Sequence, residues 1–220
     1  MINVLYEDNH IIVVEKPAGV LSQSDISGDP DMLSMVKEYV RVKYSKKGEA
    51  FIGLLHRLDR PVGGVMVFAR TSKAASRISE QIRNRTFMKT YLAVVNGIIE
   101  NNEGELCNYL KKNNDTNTVS VVEKTSDKSL FAKLTYKIKG RTDEFSFLEI
   151  NLETGRPHQI RVQFSNIGHS LFGDNKYGDA SSKEDIALWS HKIQFMHPVR
   201  KELMTFNSSP SRDKYPWSLF

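Results

Sequence analysis

Between Leu130 and Lys139 the chain alternates with a period of two: Leu130, Ala132, Leu134, Tyr136 and Ile138 interleave with Phe131, Lys133, Thr135, Lys137 and Lys139. Side chains of a strand point to opposite faces in turn, so this pattern predicts a strand with one face on a core and one in water. Phe147 to Leu152 is its predicted partner, across the turn from Gly140-Arg141 to Asp143. Further strands follow from short β-branched runs bounded by turn formers. These are Val4 to Tyr6, Ile11 to Val14 (ended by Pro17-Ala18-Gly19), Val65 to Ala69, Tyr91 to Val95, Leu188 to Phe195 and Leu203 to Phe206. Asn96-Gly97 after Val95 is a hairpin-type turn signal, and the polar stretch from Lys111 to Lys128 reads as an exposed hairpin or loop.

Helical spacing is confined to three places. Asp31 caps a helix carrying Leu33, Val36, Val40 and Tyr44, and Thr71 caps one with a stripe of Ala74, Ala75, Ile78 and Ile82. The third starts at Pro157, carries Ile160, Phe164 and Ile167, and stops at Gly168. Strands joined mostly by turns, with a few helices inserted, predict an α+β fold on a mainly antiparallel, mixed sheet. A sheet of this many strands is expected to bend into two lobes around a central cleft. Nothing linker-like divides residues 1–220, so one domain with two subdomains is expected.

The stretch Leu55-His56-Arg57-Leu58-Asp59-Arg60-Pro61-Val62-Gly63-Gly64-Val65 places one carboxylate between two arginines, just before a glycine pair that allows backbone and substrate to come close. Flanking cations favour the ionised form, and an ionised carboxylate serves as nucleophile or base. The net charge is +5, and from Arg57 to Lys89 eight basic residues face only Asp59 and Glu80. Positive charge concentrated around a candidate reactive group makes a polyanionic partner plausible. Cys107 is the only cysteine, which excludes a disulfide framework and a thiolate zinc site. The six histidines lack a metal-helix spacing. No apolar run reaches the ~18 residues a membrane helix needs, and the N-terminus lacks a signal-peptide pattern. A cytoplasmic, monomeric protein without metal is the expectation.

Two further segments carry more polar groups than packing requires. Phe87-Met88-Lys89-Thr90-Tyr91 begins a strand with a cation and an aromatic; alone, Tyr91 reads as a core tyrosine with a satisfied hydroxyl. In Glu153-Thr154-Gly155-Arg156-Pro157-His158-Gln159-Ile160-Arg161, Gly155 and Pro157 turn sharply into a helix and aim Arg156 out of its N-terminus. The helix dipole repels a cation there, so a negative partner for Arg156 is expected. Arg161, on the helix face, reads equally as a solvated charge.

Taken together, these segments resemble the RluA family of RNA pseudouridine synthases. The resemblance rests on Lys16-Pro17-Ala18-Gly19, His56-Arg57-Leu58-Asp59 with its glycine turn, Lys89-Thr90-Tyr91, Thr154 to Arg161, and Leu188-Trp189-Ser190-His191 through Phe195-Met196-His197-Pro198. It implies a two-lobed antiparallel sheet with a basic cleft, and a reaction that isomerises uridine in ribosomal or transfer RNA. It also implies that Asp59 is the catalytic residue, that Tyr91 packs on the target base and assists proton removal, and that Arg156 pairs with Asp59. Ile160 would help wall the base pocket and Arg57 would enter the RNA where the uridine leaves its stack. His56, Arg60, Lys89 and Arg161 complete the residues expected at the substrate. Lys73, Arg77 and Arg83, on the Arg70 to Arg85 helix, would contact phosphates. Where the family often has Thr-Ser-Gly, this chain has Pro61-Val62-Gly63-Gly64, which keeps the turn glycine and loses two hydroxyls. The small basic domain that precedes many relatives is expected to be absent, leaving RNA binding to the cleft.

The isomerisation changes no oxidation state and transfers no phosphate, so no cofactor is expected. Two other classes fit the residues less well. A non-catalytic RNA-binding module or folding assistant would use the basic helix but would not require Asp59, Tyr91 and Arg156 together. A glycoside or nucleoside hydrolase commonly uses paired carboxylates, and no second acid accompanies Asp59 in its motif.

Overall fold

A computed structural model describes residues 2–45 and 48–220. The chain forms two compact units, one built from the chain up to Met88 together with Ser190–Ser209, the other from Lys89–Trp189 and Pro210–Phe220.

The first unit opens with an antiparallel pair, β1 (Asn3–Glu7) and β2 (Ile11–Lys16). Asp8 makes their turn by accepting the His10 and Ile11 amides at 2.7 and 2.9 Å. Helix α1 (Met32–Lys43) starts where Asp31 Oδ1 accepts the Ser34 amide, and it buries Met32, Val36 and Val40. Tyr44 lies at its C-cap and is exposed, so the expected stripe ends one turn earlier. After a two-residue strand β3 (Gly53–Leu54), which the sequence reading does not anticipate, β4 (Gly63–Ala69) pairs with β2 in antiparallel register, Val13 opposite Val67. Every residue of β4 is buried, as in a strand covered on both faces. Helix α2 (Ser72–Arg83), capped by Thr71, buries Ala74 and Ile78. Ile78 joins Ile11, Val13, Val65, Val67 and Phe87 in one core.

The second unit is a five-stranded antiparallel array, β5 (Met88–Asn96), β6 (Glu103–Asn113), β7 (Thr118–Val122), β8 (Leu130–Arg141) and β9 (Phe145–Leu152), in the spatial order β5-β9-β8-β6-β7. The alternation is realised in the middle of β8, where Ala132, Leu134 and Tyr136 are buried and the intervening residues are not; at the ends Leu130 is exposed and Ile138 half-buried. Asn96-Gly97 ends β5 but does not make a hairpin, because β5 pairs with β9 while β6 pairs with β7 and β8. Local turn chemistry signals a reversal without fixing which strand lies beside which. The polar stretch from Lys111 is the β6–β7 hairpin. Helix α3 (Gln159–Asn166) packs beside β6 and β7, with Val162 in a core of Leu110, Val119 and Ala132. It begins two residues after Pro157, because His158 occupies the left-handed region at φ 50°.

Strands β10 (Leu188–Met196) and β11 (Leu203–Asn207) are antiparallel; from Ser190 on they return to the first unit, where Ile193 and Phe195 enter the same core as Ile78. The architecture is α+β on a mainly antiparallel sheet, as expected.

Candidate active site

In the first unit, His56, Arg57, Asp59 and Arg60 share the loop before β4, and its backbone is held on both sides of Asp59. On one side the buried Ser22 hydroxyl accepts the Leu58 amide at 3.0 Å and donates to the Leu58 carbonyl at 2.7 Å. On the other, the Arg60 carbonyl accepts the Gly19 amide at 2.9 Å and the Lys16 ammonium at 3.0 Å. Lys16 is wholly buried, and its Nζ also donates to the carbonyls of Pro17 (3.0 Å) and Val20 (2.5 Å). Burial draws its pKa down to about 8; the Asp59 charge works against that shift and Arg60 adds to it. The Val62 amide closes the turn on the Asp59 carbonyl at 3.0 Å. The carboxylate thus projects, partly exposed, from a backbone with little freedom to move.

Its neighbours divide the work. Arg57 is exposed. Arg60 is tied back, to Asp29 at 2.8 Å and to the Gly19 carbonyl at 3.1 Å. His56 Nε2 accepts the Val67 amide at 3.2 Å, which places a ring proton on Nδ1, and the ring packs against Phe87. The role visible for His56 is therefore to fasten the loop to β4. The glycine pair also has a structural explanation. Gly64 sits at φ +120°, and a Cβ there would collide with the Ser190 backbone, so the close approach is made by a neighbouring strand. On α2, Lys73 and Arg83 are exposed, whereas Arg77 donates to the Pro198 carbonyl at 2.7 Å.

In the second unit, Lys89 and Tyr91 lie two apart on β5, opposite Leu152 and Ile150, and so share a face. Tyr91 is buried and Lys89 half-buried, and burial holds the Lys89 ammonium below the ordinary lysine range. Beyond β9, Gln159 organises the turn that carries Arg156. Its Oε1 accepts the Thr154 hydroxyl at 2.8 Å and the Arg156 amide at 3.1 Å, while its Nε2 donates to the Lys133 carbonyl at 3.1 Å. The Arg156 Nε donates to the Phe131 carbonyl at 2.9 Å, a neutral acceptor where the helix dipole predicts a negative one. Ile160 is buried.

Of the two readings of Arg161, the solvated charge is not the one realised. Arg161 is 5% exposed, and its Nε and Nη2 grip Asp174 at 2.8 and 2.6 Å. A planar fork on a carboxylate is the strong form of such a pair. Asp174 also accepts the amides of Lys176 and Tyr177, so it orders the segment after α3. Sequence reasoning passed over Ser22, Gln159 and Asp174. Gln159 carried the one available signal, as a polar residue on the inward face of a helix.

The model of the RNA pseudouridylate synthase family matches residues 10–166. The chain belongs to that family, and within it to the RluA type. The synthase is 30% identical over 207 residues to the uncharacterized RNA pseudouridine synthase YhcT of Bacillus subtilis, covering 92% of this chain and 67% of that protein. It is 31% identical to an uncharacterized RNA pseudouridine synthase of Aquifex aeolicus, over 93% of this chain and 68% of the relative. With the ribosomal large subunit pseudouridine synthase D of Xylella fastidiosa it shares 30% identity, over 90% of this chain and 63% of that protein. The solved structure of human RNA pseudouridylate synthase domain containing 4 superposes with a TM-score of 0.81 over 99% of this chain and 91% of that one; at 20% identity it attests the fold. No helix among the described residues is long and apolar enough to cross a membrane.

Proposed function

We propose that this isomerase converts uridine to pseudouridine in ribosomal or transfer RNA in the cytoplasm, acting as a monomeric catalytic domain with Asp59 as its reacting carboxylate. The observation that carries the assignment of Asp59 is the rigid backbone around it. Ser22 fixes Leu58 and Lys16 fixes Arg60, so the backbone that carries the carboxylate is held in place before substrate arrives. Such preorganisation lowers the entropic part of a barrier.

The reaction breaks the bond from N1 of uracil to the anomeric carbon, turns the base and joins C5 to that carbon. The proton lost from C5 balances the one gained at N1, and no electrons or metal are called for. Asp59 supports three routes: attack on the sugar, addition to the uracil ring, or removal of a proton from the sugar. In each, Tyr91 stacks on the base and its hydroxyl assists the C5 proton, Ile160 walls the base, and Arg57 fills the gap the uridine leaves. Extruding the base costs a few kcal/mol, which stacking and insertion offset. His56, Arg60 and Arg161 support these groups, and Lys73, Arg77 and Arg83 face phosphates.

Incubating the purified protein with total RNA from a strain lacking its gene tests the reading. Conversion of one or a few uridines to pseudouridine without change of mass is expected. Release of free uracil would instead identify a hydrolase, and unaltered RNA would identify a binding module.

A further inference from the structure

Lys89 is a half-buried cation without a counter-charge among the described residues. Among the described residues its ammonium has no carboxylate or hydrogen-bond acceptor, and burial lowers its pKa. Desolvating a charge is costly, so a cation held this way is expected to meet its partner in a ligand. The turn beside it is shaped to leave the ammonium room. A Cβ on Gly155 would lie 2.9 Å from Lys89 Nζ, so the bare glycine face is the surface against which the ammonium rests. Gly155 is itself exposed, which opens this point to solvent.

The next residue supplies a second donor set. Arg156 spends Nε on the Phe131 carbonyl, and its two terminal nitrogens have no partner among the described residues. Its amide is fixed by Gln159, so the guanidinium starts from a rigid turn.

We propose that Lys89 Nζ, resting against Gly155, and the guanidinium of the following residue, Arg156, form a subsite for the RNA backbone phosphate adjacent to the target uridine. The proposal rests on reading the chain as an RNA uridine isomerase with Tyr91 against the base. Lys89 lies two residues from Tyr91 on the same strand face, roughly 7 Å along β5. That separation is comparable with the reach from a nucleobase to its own phosphate. A point-charge ammonium beside a forked guanidinium suits a phosphodiester, which offers two anionic oxygens.

The test uses the full chain and a dodecaribonucleotide with a single uridine, made with ordinary linkages or with uncharged methylphosphonates flanking that uridine. Lys89→Gln is expected to weaken binding of the ordinary RNA by about tenfold at low salt. It should flatten the dependence of log affinity on log salt by ~0.7, the share of one single-strand phosphate. On the methylphosphonate RNA the same substitution should change nothing. Gly155→Ala, which pushes the ammonium aside, should reproduce the loss, and the double variant should be no worse than either single one. Carbon-13 NMR of the Lys89 ε-methylene should show its pKa rising when the ordinary RNA is added. Equal affinity and salt slope in Lys89→Gln, equal losses on both RNAs, or no binding of the dodecamer by the unaltered protein would each overturn the subsite. Pseudouridine formation is scored separately on total RNA. A protein that forms none but retains the Lys89–phosphate coupling would sink the isomerase reading and leave the subsite standing. An active protein with unaltered Lys89→Gln binding would do the reverse.

Discussion

Replacing Lys16 by Met removes a buried charged group that holds the backbone of the Asp59 loop. Lys16 is 0% exposed, and its pKa in the fold is about 8 against an ordinary 10.5. A lysine whose pKa is depressed by folding binds fewer protons in the native than in the unfolded chain between those two values. Stability therefore rises with pH across the window from about 8 to 10.5. The full shift corresponds to ~3 kcal/mol at 1.36 kcal/mol per pH unit, and about 2 kcal/mol of it is realised between roughly pH 7 and pH 9.5. At neutral pH, losing three ammonium–carbonyl bonds and removing a buried charge oppose each other, so the gap between the proteins is set by both effects. As pH rises the native protein should gain about 2 kcal/mol on Lys16→Met. Urea unfolding of both proteins at several pH values measures this, since titrations they share cancel in the difference. A gap that is constant with pH, or that narrows as pH rises, would refute a depressed Lys16.

Three other outcomes follow from the same geometry. Asp174→Asn removes the charge from a buried group that Arg161 grips and that accepts the Lys176 and Tyr177 amides, and should cost about 2 kcal/mol of unfolding free energy; a loss below ~1 kcal/mol in urea titration would show the charge is dispensable. Tyr91→Phe should keep RNA affinity while single-turnover rates fall ~100-fold, whereas unchanged rates would limit Tyr91 to stacking. Lys73→Gln with Arg83→Gln should weaken every uridine-containing RNA alike and flatten the salt dependence by ~0.7 for each single-strand phosphate no longer neutralised; an unaltered slope would direct the RNA path away from α2.

The parts of this fold legible in the sequence are those set by local chemistry. The alternation in β8 and the caps Asp31 and Thr71 depend on residues a few positions apart, and each is realised. What the sequence conceals is long-range. The pairing of β5 with β9 is settled by which apolar faces meet, about which Asn96-Gly97 carries no information. The need for Gly64 is set by Ser190, far along the chain. At the site, the reactive residue types could be read from the motifs, but their supports could not. Lys16 resembles any surface lysine until three carbonyls converge on it. Arg161 resembles a solvated helix charge until the segment after α3 folds back and brings Asp174 to it.

The central claim is that Asp59 is the carboxylate that carries the reaction. Asp59→Asn is nearly isosteric and retains the Ser22, Gly19 and Lys16 ties to the neighbouring backbone, so the fold and RNA affinity should be preserved. The decisive measurement is single-turnover pseudouridine formation by folded Asp59→Asn protein at saturating enzyme, on an RNA the unaltered protein converts. No product above background is expected, and conversion at a substantial fraction of the unaltered rate would contradict the account.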